Sequence, residues 1–179
     1  ISPFPAGYDT SIVFAGQRSL RSGVPIGSND VASYSAGFQD VAIPANATTA
    51  TLTFWWHPIS EEGSMSSGAL SGAAVSSDAP DKAPQFNAEQ ERALADMEGL
   101  SPAAPLAADL QYAVLADQQG NILQKFIWTR QDTRQWRFYS FDVAPSLRGR
   151  TVRVLFGVYN DGNGRRSSVR VDEANLIVC

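Results

Sequence analysis

The sequence predicts an all-β fold, an antiparallel β-sandwich, and three observations carry that prediction. Val152, Val154, Phe156 and Val158 alternate with Thr151, Arg153, Leu155, Gly157 and Tyr159, the period-2 pattern of a strand with one buried face. Turn signals rich in Gly, Asn, Asp and Pro separate several short alternating runs, as antiparallel sheets require. Helical periodicity is confined to one short stretch near residues 88–98. The 179 residues fit a single domain spanning 1–179, because domains usually run to about 100–200 residues.

Taken in order, Ile1 to Tyr8 carries Pro3, Pro5 and Gly7 and reads as an extended arm, followed by a short edge strand over Thr10–Phe14. Gly16 to Gly23 is a turn entering a strand. Tyr34–Ile43 is a strand that Pro44 ends. Ala50–His57 places Leu52, Phe54 and Trp56 on one face and Thr51, Thr53, Trp55 and His57 on the other, and Pro58 is expected to stop it. Residues 59–109 change character: Ala, Ser, Gly and Pro dominate, which predicts a long insertion between two strands. Asn87-Ala-Glu-Gln90 has the form of a capping box and Gly99 suits a helix stop, so one helix is expected at about Ala88–Glu98.

Strand character resumes at Leu110–Ala116, and Asp117-Gln-Gln-Gly-Asn121 is a hairpin turn. Ile122–Arg130 is expected to set Gln124, Phe126, Trp128 and Arg130 on one face, with Phe126 and Trp128 in the core beside Trp136. Trp136–Val143 is a further strand, and Pro145–Gly149 turns into the closing pair. Asn160–Gly164 is the last tight turn, and Val169–Val178 alternates with an interruption at Asp172–Asn175.

Composition narrows the functional classes. A net charge of −4 and a pI near 4.9 speak against a general nucleic-acid binder, which carries a basic stripe. No apolar run approaches the roughly 20 residues a membrane-spanning helix needs, so no membrane insertion is expected. Charged residues make up 18%, below the usual ~25%, and uncharged polar residues fill the surface, a lean toward a secreted or cell-surface protein. The start at Ile1 suggests an excised segment of a longer precursor. Cys179, the single cysteine, is either free or paired outside the segment. His57 is the one histidine, so a histidine-dependent triad or a histidine-rich zinc site must use it. Asp117, Asp142, Asp161 and Asp172 all lie at strand ends or turns, where Asp has ordinary capping work, and no catalytic motif is present.

Several segments match a wider pattern in order: Gly16-Gln-Arg-Ser-Leu20, Gln39-Asp-Val-Ala-Ile-Pro44, Ala50-Thr-Leu-Thr-Phe-Trp-Trp56 and Gln111-Tyr-Ala-Val-Leu-Ala-Asp117. Trp136 with Phe141-Asp-Val143, Gly149 to Gly157, Asn160-Asp-Gly162 and Val171-Asp-Glu-Ala-Asn-Leu176 complete it. The series resembles the jelly-roll domains, MAM-like or galactose-binding-like, that serve as accessory modules in bacterial extracellular proteins, including immune-inhibitor-A-type peptidases. The resemblance implies a non-catalytic surface module coupled to other domains of the same precursor, binding sugars in many relatives and holding a structural Ca²⁺ near the last strand. Asp172 matches the first acidic position of the closing motif, and Glu173 stands where a second Asp is common. With Asp9 or the Gly16–Gln17 loop approaching, Asp172, Glu173 and Asp9 form the expected metal set, the alternative being a solvated acidic pair.

For a sugar, a flat aromatic face with fixed polar groups at its rim is required. Trp55, His57, Arg153 and Tyr159 are out of phase with the core residues of their strands, so they either share one exposed sheet face or are covered by the insertion and a neighbouring strand. The expected function is therefore a non-catalytic module binding a glycan or a protein partner. The alternative is a structural spacer or adhesion domain with no small ligand.

Overall fold

The computed structural model describes residues 3–63 and 109–179. Among these residues nine strands follow one another: β1 (Gly7–Asp9), β2 (Ser19–Gly23), β3 (Ser33–Ala42), β4 (Ala50–Ser60), β5 (Leu110–Ala116), β6 (Ile122–Thr129), β7 (Arg137–Asp142), β8 (Thr151–Asn160) and β9 (Ser167–Val178). A 3-10 turn, Pro145–Leu147, precedes β8. The strands form two antiparallel sheets, one ordered β1-β2-β9-β4-β7 and the other β3-β8-β5-β6. The predicted all-β sandwich is therefore the observed fold, while the expected helix at Ala88–Glu98 lies outside the described residues.

The core sits between the sheets and is built from the in-phase residues. Leu52, Phe54 and Trp56 of β4 and Val169 and Val171 of β9 meet Val152, Val154, Phe156 and Val158 of β8 and Ala113 and Leu115 of β5. Phe54 stands edge-on to Phe156 at 4.9 Å, an arrangement that favours aromatic pairs beyond their simple burial. Gln111, fully buried on β5, holds one end together: its amide donates to the carbonyls of Ile59, Gln131 and Ser168, and its oxygen accepts the Gln131 N–H. At the other end Gln124 spans from β6 to the end of β7, donating to the Asp142 carbonyl and accepting the Ala144 N–H.

A second apolar cluster covers the outer face of the four-stranded sheet, with Tyr112, Val114, Trp128, Leu155 and Tyr159 at its centre. Trp128 belongs to this cluster and not to the inner core, contrary to the sequence-based expectation. Phe126 packs on the inner core and Trp136 lies partly buried beside His57. A register shift between β5 and β6, where the pairing jumps from Ala113–Ile127 to Val114–Lys125, breaks the strict alternation, so Phe126 and Trp128 end on opposite sides although two residues apart.

Two further expectations are corrected. The edge strand is Gly7–Asp9, not Thr10–Phe14. Pro58 does not stop β4, which runs to Ser60. β7 pairs only with Thr51–Trp56, so beyond that point β4 has β9 on one side alone. The Pro58 carbonyl accepts the Arg134 N–H, so the side lacking the proline donor faces away from the β9 ladder and no sheet bond is lost.

Candidate functional site

β4 and β8 belong to different sheets, so the outward residues singled out from the sequence do not share a face. Trp55 and His57 lie on the outer side of the five-stranded sheet; Arg153 and Tyr159 lie on the outer side of the four-stranded sheet. Phe14 stacks on Trp55 with ring centroids 3.8 Å apart, and Phe138 lies at 5.5 Å. His57 is buried, edge-on to Trp136 at 5.2 Å. Burial pushes its pKa below the ordinary histidine value, the nearby Arg170 charge adds to this, and backbone hydrogen bonds oppose it. Tyr159 is buried against Tyr34, with centroids 4.7 Å apart. Arg153 pairs with Asp40, its cross-strand partner, and lies 4.2 Å over the Phe38 ring.

Nor does the structure bring Asp9, Asp172 and Glu173 together as ligands. Asp9 Oδ2 accepts two hydrogen bonds from the buried Arg170, and its Oδ1 accepts from Ser11. Asp172 Oδ2 accepts the N–H groups of Phe14 and Ala15, and Oδ1 accepts that of Glu173. These oxygens serve protein donors. Glu173 sits with φ at +51° in a bulge of β9, where the pairing with β4 jumps from Thr53–Asn175 to Trp55–Asp172. The Asn175 amide donates to the Glu173 carbonyl and closes the bulge. The interruption at 172–175 read from the sequence is this kink.

The bulge borders a cleft of roughly 760 Å³ between edge strands β1 and β3. Its floor is apolar, with Leu20, Leu52 and Phe156, and its rim carries Arg18, Gln39, Glu173 and Asn175. Asp9 turns outward to Arg170, so its neighbour Tyr8 faces the gap between the sheets, 70% exposed and with Arg18 stacked 4.1 Å above its ring. Sequence reasoning missed Tyr8 because it placed the edge strand three residues too late.

A carboxylate cluster lies at a different end. Glu62 follows β4, Asp109 precedes β5 and Asp161 follows β8, and one oxygen of each comes within 4.8 Å of the others. Arg130 pairs with Glu62, and Asn163 donates to both Glu62 and Asp161. Asp109 is 1% exposed; its Oδ1 accepts the Asp161 N–H at 2.9 Å, while its Oδ2 is buried without a hydrogen-bond partner. Burial foremost, and the charges of Glu62 and Asp161, push the Asp109 pKa up to about 7, against the easing effect of Ser167 and the Asp161 N–H. Asp30 accepts the Gly164 N–H with Oδ2 and leaves Oδ1 buried and unpartnered; burial raises its pKa too, helped by Asp161 and Glu62.

No known family pattern matches the sequence, and no curated protein is similar to it. Among solved structures, the fold is similar to the enzymatically active domain of bacteriophage CBA120 tailspike protein 4 over 100% of this chain, with a TM-score of 0.50 and 10% identity. This chain spans 18% of that tailspike. It is also similar to TmCBM61 in complex with beta-1,4-galactotriose (TM-score 0.48, 11% identity, 99% of this chain and 90% of that one). The Family 16 Carbohydrate Binding Module-2 gives a TM-score of 0.46 at 13% identity, covering 98% of this chain and 86% of that one. At such identities the likeness is one of fold alone.

Proposed function

We propose that this β-sandwich is a non-catalytic extracellular accessory module, of the MAM-like or galactose-binding-like kind, and that it binds a neutral oligosaccharide in the cleft between β1 and β3. The observation that carries the reading is an exposed tyrosine ring, Tyr8, over an apolar floor with amide and carboxylate groups at one rim. A pyranose ring presents C–H groups on its faces and hydroxyls at its edge, so it wants an aromatic face below and hydrogen-bonding groups around it. Gln39, Glu173 and Asn175 supply donors and acceptors, and the β9 bulge sets where the last two project.

Calorimetric titration against a panel of neutral oligosaccharides tests this. Tyr8→Ala should weaken binding at least about tenfold, the loss of one ring contact of about 1.4 kcal/mol. Trp55→Ala should leave affinity within about twofold. Loss of binding in the Trp55 variant alone would move the site to the outer face of the five-stranded sheet, and no binding by the unaltered chain to any member would reject the reading.

A second reading has its own support. Phe14 and Phe138, 41% and 55% exposed, flank Trp55 as an aromatic strip on that outer face. Such a strip suits contact with a neighbouring domain, as a spacer or adhesion unit requires.

A further inference from the structure

We propose that Glu62, Asp109 and Asp161 hold a calcium ion, with Asp109 Oδ2 as a direct ligand. The site is separate from the Asp9, Asp172 and Glu173 positions; the Asp9 and Asp172 oxygens already serve Arg170 and backbone N–H groups. Three carboxylates drawn within 4.8 Å of one another repel, and the single guanidinium of Arg130, paired to Glu62, offsets one charge of the three. Asn163 satisfies Asp161 and one oxygen of Glu62. Asp109 Oδ2 has no partner within hydrogen-bond geometry among the described residues: the Ser167 hydroxyl, close enough to ease the Asp109 charge, is bonded to the Ser60 hydroxyl at 2.9 Å. A buried carboxylate oxygen with no donor is costly, and a cation placed among the three groups removes both the deficit and the repulsion.

The donors decide the kind of ion. All are oxygens, with no histidine or cysteine in the set, which excludes the softer metals as preferred occupants. They come from three separate chain segments, two next to loops, so the spacing adapts to the long and variable bonds of calcium better than to the tight octahedron of magnesium. Asp30, held by Gly164 of the β8–β9 loop, adds a fourth negative group close by. Glu62 and Asp109 stand on either side of residues 64–108, and the Asp109 N–H already donates to Glu62 at 3.3 Å. The ion therefore ties together three chain crossings at one end of the sandwich.

The test uses the full chain, stripped with a chelator and melted with and without calcium chloride. Calcium at about a hundredfold excess over its dissociation constant should raise the melting temperature by about 5–10 °C, since an ion that binds only the folded state stabilises it by linkage. Magnesium should give a smaller rise. Asp109→Asn should lose the response while Asp172→Asn keeps it. No response to calcium, a response intact in the Asp109 variant, or one lost only in the Asp172 variant overturns the proposal. Should Asp109→Asn fail to fold, manganese added to the unaltered chain decides: selective broadening of the amide signals of Asp109, Asp161 and Gly162 supports the site, and broadening centred on Asp9 and Asp172, or none, refutes it.

Discussion

At the scale of single residues, burial decides what each polar group can do. Arg170 is 2% exposed on the outer face of its sheet, and Asp9 accepts two of its hydrogen bonds and Ser168 a third, so its charge is buried already paired. Asp9→Ala should lower stability by about 3–5 kcal/mol in denaturant titration, because the guanidinium stays buried without its counter-charge. His57 gives a pH signature of its own. Its pKa in the folded chain lies below the ordinary 6.5, so the unfolded chain binds the extra proton first as pH falls. Stability contributed by neutral His57 is thus complete above pH 6.5 and is lost as pH drops from there toward the depressed folded value. Asp109, whose pKa is pushed up to about 7, contributes in the opposite sense over the same range, so the His57 part is the difference between the chain and His57→Gln in thermal melts from pH 7.5 to 5: the variant should lose less stability on acidification than the unaltered chain.

At the scale of strands, the alternating runs of β4 and β8 and the turn at Asn160–Gly164 were readable because a half-buried strand must alternate and a tight turn needs Asn, Asp or Gly. What a strand's own pattern does not carry is the identity of its neighbours. Trp55 and Tyr159 each read correctly as lying off the inner core, but sheet order depends on long-range pairing, and that pairing sends them to opposite outer faces. The carboxylate cluster was illegible for the same reason: Glu62, Asp109 and Asp161 are separated by dozens of residues and each resembles an ordinary turn or strand-end acid. The one local hint was Asp109, placed directly before the wholly buried run of β5. Close packing within the four-stranded sheet makes a further prediction. A methyl group at Gly157 on β8 would fall 2.2 Å from the Tyr112 ring on β5. Gly157→Ala should cost about 1–3 kcal/mol by chemical denaturation, and the added change Tyr112→Ala should recover part of it, since the two effects share one contact.

At the scale of the whole molecule, the sandwich divides its work between ends and edges. One core joins both sheets, the β1–β3 edge opens into the cleft, and the carboxylates gather at the margin where β4 ends and β5 begins. The meeting of Glu62 with Asp109 places the end of β4 and the start of β5 at nearly one point. By closure entropy alone, ten glycine and serine residues spliced in at the middle of 64–108 should shift the unfolding free energy by only about 0.2 kcal/mol; a loss above about 1 kcal/mol would show that the length of this stretch matters to the sheets. Two chain ends so close together let a lineage lengthen, shorten or exchange the sequence between them, even for an entire foreign domain with adjacent termini, while the strands on either side keep their pairing.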